Sequence, residues 1–202
     1  MRARGLHDRF ARLLALRRFW IPVIGLLFGI PLISSLSRRA PTAVPVLGQL
    51  PVVPLEDADG AAIDVGGRAW VGAFLDPACE SCCARAVAAL RRVQVRTRNL
   101  GAAFAILTMS LDPDATGEWL RTRRALERAN PRIWWFVRGL DVPRIERAAA
   151  ALVPAPRAAG LASGSDVILV DSRVRLRGIY ATDGSADDDL LADLTLILNR
   201  DR

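Results

Sequence analysis

The chain has 202 residues, of which 51% are apolar, and its 28 basic residues, all Arg, face 21 acids for a net charge of +7. That length suits one domain of ordinary size with appendages. The excess charge is local: residues 1–39 hold eight Arg and one acid, Asp8, whereas 20 Arg meet 20 acids from residue 40 onward. A neutral body has no net field for phosphates, so no nucleic-acid partner is expected.

Residues 1–19 read as a basic cytoplasmic tail. Trp20 to Leu36 then runs 17 residues without a charge, just reaching the ~17–25 residues that span a bilayer as a helix. Pro22 and Pro31 are tolerated in such helices. Six Arg precede the segment and two follow it. The positive-inside rule therefore places the N-terminus in the cytoplasm and the remainder outside. A cleaved signal peptide is the alternative, but its apolar core is only ~7–15 residues and needs a small-residue cleavage site. Residues 20–36 are thus expected to be an uncleaved transmembrane anchor, and 37–50 a Pro-rich linker that begins to pack against a domain spanning 51–202.

Within the domain, Asp57-x-Asp59-Gly60 predicts a turn between short runs at Val52–Leu55 and Ala61–Val65. Trp70–Leu75 reads as a buried strand. Cys82–Asn99 reads as a helix, with Val87, Leu90, Val93 and Val95 among Arg residues, closed by Leu100-Gly101. Ala103–Leu111 is a second buried strand, and Asp112-Pro113-Asp114 turns into a helix over Ala115–Ala129, with Asp112 and Asp114 as turn and cap residues. Ile133–Val137 is a strand in which Trp134 and Trp135 point to opposite faces. Pro143–Leu152 is a helix, and Val167–Asp171 and Leu176–Tyr180 are strands joined by Ser172-Arg173. Asp187–Asn199 closes the chain as a helix with acids in its first turn. The order implies a central mixed sheet with helices on both faces, the layout of a thioredoxin-like fold.

All three cysteines fall between the first of these strands and its helix, in Asp76-Pro77-Ala78-Cys79-Glu80-Ser81-Cys82-Cys83. Unpaired N–H groups and the partial positive charge of a helix start favour thiolate over thiol. Asp76 and Glu80 oppose this. Cys79-x-x-Cys82 has the spacing of thiol–disulfide oxidoreductases, and outside the cytoplasm a disulfide from Cys79 to Cys82 or to Cys83 is expected. Thiolates are soft ligands that suit Cu(I), which Cys79 and Cys83 can hold as a pair. Cys82 shares their helix face if the helix starts early enough. Met109 is a conceivable thioether ligand but reads as core.

The motifs in order resemble those of the Sco/SenC family, membrane-anchored thioredoxin-fold proteins that serve copper insertion into cytochrome c oxidase. Phe74 with Cys79-x-x-x-Cys83 is similar to the family's C-x-x-x-C signature. Met109-Ser110-Leu111-Asp112-Pro113-Asp114, Trp134-Trp135-Phe136-Val137-x-Gly139, and Ile168-Leu169-Val170-Asp171 followed by Arg177-Gly178-x-Tyr180 resemble its later segments. Two positions depart from the pattern. Ala84 stands where the family has Pro, and the family's copper-binding His falls near Ser163, within Gly160–Ser165, a stretch without His. The chain's single His is His7.

The resemblance implies a single-pass protein of the bacterial inner membrane with a periplasmic domain. It would assist assembly of the copper-site subunit of cytochrome oxidase, or act on another thiol protein, through Cu(I) or thiol redox at Cys79 and Cys83. The spacing of the thiols, apart from the resemblance, adds Cys82 as a further candidate catalytic thiol. A copper-independent thiol–disulfide oxidoreductase and a non-catalytic binding module of the same fold are the rival readings.

Overall fold

The computed structural model describes residues 43–76 and 80–200, without the side chains of residues 80–83, 101, 102 and 162. The tail, the expected anchor over 20–36 and residues 37–42 of the linker lie outside the described residues. Among those described, no helix is long and apolar enough to cross a membrane.

Residues from Val44 onward form one compact unit. Its strands are β1 (Gly48–Gln49), β2 (Leu55–Asp57), β3 (Ala62–Ile63), β4 (Ala69–Leu75), β5 (Phe104–Ser110), β6 (Trp134–Arg138), β7 (Asp166–Val170) and β8 (Arg175–Ala181). Its helices are α1 (Glu80–Arg96), α2 (Gly117–Leu126), α3 (Val142–Ala151), α4 (Ala155–Ala162) and α5 (Asp187–Arg200), with a 3₁₀ helix over Arg98–Ala103. The strands make one sheet in the order β1-β8-β7-β4-β5-β6-β2-β3. The central trio β4, β5 and β6 is parallel, and every other pairing is antiparallel.

Both faces of this sheet are covered, which explains why β4, β5 and β7 read as unbroken apolar runs rather than alternating ones. Every residue of the three is buried. On one face Val71, Ala73, Ile106 and Phe136 meet α1, α2 and α5 through Val87, Leu90, Leu120, Leu190 and Leu194. On the other, Trp70, Phe74, Leu107 and Ile168 meet α3 and α4 through Val142, Ile145, Ala149 and Leu161. Trp134 is buried with its indole N–H donated to Thr108 Oγ1 at 2.8 Å. Trp135 is half-buried beneath the Arg68 guanidinium at 4.4 Å.

Local chemistry moved several boundaries. Helix α1 begins at Glu80 and ends at Arg96, where Thr97 Oγ1 bonds back to the Val93 carbonyl at 2.6 Å and the chain tightens into the 3₁₀ turn. Helix α2 starts later than Ala115 because its cap is Thr116, whose Oγ1 accepts the Trp119 N–H. Asp112 does hold the turn, through the Asp114 N–H at 2.9 Å, but Asp114 does not cap the helix. The β2–β3 turn forms at Asp57, whose Oδ1 accepts the N–H groups of Asp59 and Ala61 around Gly60 at φ +81°. Residues 47–50 leave the linker to pair with β8 at the sheet edge.

The link between β7 and β8 is four residues, Asp171–Val174, rather than two. Val174 adopts φ +58°, which a β-branched residue resists. The Asp171 carboxylate holds that turn by accepting the N–H groups of Arg173 and Arg175, each at 3.0 Å. Beyond it a bulge leaves Arg177 as the extra residue of β8 and aims it inward.

Candidate functional site at the carboxyl edge of the sheet

Because β4, β5 and β6 are parallel, their carboxyl ends lie along one edge. Open α/β sheets bind ligands outside this edge, where loops meet helix N-termini. Strand β4 delivers the thiol segment there. Leu75 is buried and its carbonyl accepts the Leu111 N–H at 2.8 Å, so the segment leaves from a fixed point.

Cys82 and Cys83 occupy the first turn of α1. Cys79 lies outside the described residues, and the side chains of Cys82 and Cys83 are not described. The structure therefore places two of the three candidate residues at a helix N-terminus and leaves the pairing among them open. Asp76, expected to flank the thiols, is half-buried at the end of β4.

Helix α1 is held in place by cations along its outer side. Arg92 donates to Asp187 at 2.6 Å and to the Thr182 carbonyl at 2.8 Å, Arg96 reaches Asp188 at 2.6 Å, and Arg91 pairs with Glu127. The acids Asp187 and Asp188 start α5, as expected of that helix's first turn, and the arginines tie that start to α1.

The position counted for the missing His is also located. Helix α4 ends at Ala162, with Ser163 as its cap and Gly164 in the left-handed region at φ +63°. The Gly164 and Ser165 N–H groups bond to the carbonyls of Leu161 and Gly160, closing the helix as a glycine-ended cap. Ser163 Oγ lies 3.0 Å from Ser165 Oγ, and Arg85 Nη2 donates to Ser165 Oγ at 3.4 Å. Arg85 stands three residues past Cys82 on α1. Two hydroxyls and a guanidinium thus occupy the loop beside the thiol helix.

Beneath that loop, Asp166 begins β7 with only 6% exposure. Burial pushes its carboxyl above the ordinary range, Asp183 adds to the push, and Arg157, 3.5 Å away, only partly offsets it. Met109, by contrast, is fully buried with Trp70 and Phe74 on the face opposite α1, so it is core. Among the described residues, no group of three His, Cys, Asp or Glu side chains is placed to hold a metal.

Helix α4 and Arg85 were missed from the sequence. Pro154-Ala-Pro156 with Gly164 beyond the far end is the proline-first, glycine-last signature that could have found α4. Nothing in the sequence marked Arg85 among so many arginines.

This architecture, a strand leading cysteines into a helix within a mixed sheet covered on both sides, is a thioredoxin-like α/β fold. No protein-family model matches the sequence, and no curated protein matches it. Its structural neighbours include Sco/SenC family proteins. A SCO1/SenC family lipoprotein from Bacillus anthracis superposes with a TM-score of 0.62 at 18% identity, over 76% of this chain and 96% of that one. BsSco, described as a member of the Sco family of cytochrome c oxidase assembly proteins with a disulfide switch, gives 0.63 at 19% identity, over 78% and 98%. Yeast Sco1 with copper bound gives 0.53 at 14%, over 73% and 90%.

Proposed function

We propose that this is a Sco/SenC-like protein, tethered to the bacterial inner membrane by residues 20–36 with its domain in the periplasm. It carries Cu(I) at Cys79 and Cys83 during assembly of the copper site of cytochrome c oxidase. The observation that carries the reading is the placement of Cys82 and Cys83 in the first turn of α1, the helix that follows β4, in the fold shared with the copper-bound yeast protein. The donor set fits the metal's lower oxidation state. Two or three thiolates satisfy Cu(I), whereas Cu(II) prefers nitrogen donors, and the loop at Ser163–Ser165 supplies none from a side chain.

The test uses the full-length protein in mild detergent, reduced and titrated with Cu(I) against a chromogenic chelator. Wild type should take up about one Cu(I) per chain. A Cys79→Ser, Cys83→Ser variant should not compete with the chelator. Equal uptake by the two defeats the copper reading.

A second reading, thiol–disulfide exchange, is favoured by Arg85, one turn past Cys82 on α1 itself, and by the helix N-terminus, since a nearby cation and a helix start both stabilise thiolate. In that reaction two cysteine thiols lose two electrons and two protons to form one disulfide, while a partner's disulfide gains them and becomes two thiols. Arg85→Gln should raise the pH midpoint of alkylation by iodoacetamide by up to about one unit. An unmoved midpoint removes Arg85 from the chemistry.

A further inference from the structure

We propose that the same edge, on the β6 side of the thiol segment, is the docking surface for a basic segment of a partner protein that inserts an apolar side chain. This deepens the thiol reading and rests on it for the partner being a copper or thiol protein.

A cavity of about 290 Å³ opens between the loops that follow β5 and β6, lined by Pro54, Pro113, Arg138, Gly139, Leu140 and Asp141 among others. That is at the small end for a ligand pocket, ~300–1,000 Å³, and suits one or two side chains rather than a cofactor. Leu140 on its rim is 84% exposed, more than any other large apolar side chain among the described residues. It is held outward by its neighbour, because the Gly139 backbone packs so closely that a Cβ there would lie 2.6 Å from the Pro54 carbonyl oxygen. The loop cannot turn inward to bury Leu140 without opening that contact.

Charge selects the occupant. Asp114 and Asp141 are exposed on the two loops, and Asp112 is half-buried between Ser110 and the turn it holds. The cation that lines the cavity, Arg138, is already engaged by Glu56 at 3.3 Å and the Ala115 carbonyl at 3.0 Å. Asp141 lines the cavity itself and Asp112 and Asp114 flank Pro113, another lining residue, so acid gathers around an apolar cavity in a domain whose 20 Arg and 20 acids balance as a whole. A partner segment with Arg or Lys flanking an apolar residue complements it. Such pairing mainly speeds and orients encounter, as a protein that must present its thiols to another requires.

The test measures anisotropy of two labelled, cysteine-free peptides, one with Leu flanked by Arg and one with Leu flanked by Glu, on the full-length protein at low salt. The basic peptide should bind and the acidic one should not. Asp114→Asn with Asp141→Asn should weaken binding at least about fivefold, and Leu140→Ser about tenfold. Asp189→Asn on α5, roughly 20 Å away across four strand spacings, should change nothing. Equal binding of the two peptides, or equal losses from Asp189→Asn, overturns the docking surface. So does a dimer that Leu140→Ser dissociates with no peptide bound, since a second copy then covers this face. Reaction of the thiols with a neutral dipyridyl disulfide is read separately. Unreactive thiols with peptide binding intact defeat the redox reading and leave the surface standing.

Discussion

Strand β7 has a buried aspartate at each end, and the two are in opposite states. Asp171, just past its end, is 1% exposed and accepts from the Arg173 and Arg175 N–H groups, Arg175 Nε at 2.8 Å and Arg177 Nη1 at 3.0 Å. Burial alone would raise its carboxyl, but these donors outweigh it and hold the group below the ordinary range. Asp166, at the strand's start, is nearly as buried but has Arg157 at 3.5 Å as its ion-pair partner, and its carboxyl is pushed up. One end of the strand is over-determined and the other under-compensated. The over-determined end joins the β7–β8 turn to the entry of the domain, where Arg177 also donates to the Val44 carbonyl. The under-compensated end underlies Ser163–Ser165 beside the thiol helix. Stability and chemistry have been assigned to opposite edges of one sheet.

Breaking the stable end should have the largest effect. Asp171→Ala leaves Arg177 buried without its counter-charge and releases the turn that holds Val174 at positive φ. We expect a loss of about 3–5 kcal/mol in urea unfolding. Because the Asp171 pKa is lower folded than unfolded, its contribution is fully present above the ordinary carboxylate value and is lost as pH falls through the folded one, below about pH 4. A loss under about 1 kcal/mol at neutral pH would show the clamp to be ornamental.

A smaller effect is expected at the other end. A Cβ on Gly160 would run into Asp166 Oδ2, so Gly160→Ala should cost about 1–3 kcal/mol. The cost should shrink when Asp166 is truncated to Ala, since the two sites then no longer collide. Additive losses would place the strain elsewhere.

How much of this was legible in advance differs along the same lines. The central sheet was visible because β4, β5 and β7 are unbroken apolar runs, and α1 because Val87, Leu90 and Val93 recur at helical spacing. The cysteines could be placed at a strand-to-helix junction for the same reason. Features depending on one side chain reaching across the fold were not visible. These include the Arg177 clamp, which needs a bulge, the four-residue turn at Asp171, the edge strand Gly48–Gln49 and the Arg85–Ser165 contact. Helix α4 was hidden because its apolar residues are mostly alanines, which give little helical periodicity, and because Pro154 and Pro156 stand where a helix start is easily overlooked. The Sco-like reading of the site came from residues in order, and at the position counted in sequence for the family's His the structure has the paired hydroxyls of Ser163 and Ser165.

The smallest predicted effect is the most discriminating. Asp166 has a folded pKa above its unfolded value, so the folded state holds its proton longer. Stability associated with this group therefore falls as pH rises from the ordinary carboxylate value through the raised folded one, and is lowest at neutral pH, where the carboxylate is ionised. Asp166→Asn removes the charge, keeps the shape, and gives up the 3.5 Å pairing with a half-exposed Arg157, which contributes little. The substitution should then be neutral or stabilising within about 1 kcal/mol at pH 7. It should also flatten the stability profile between about pH 4 and 7, measured by urea unfolding at each pH. A destabilisation at pH 7 as large as that of Asp171→Ala would mean that the ionised carboxylate is held by donors as Asp171 is, and the contrast between the two ends of β7 would fail.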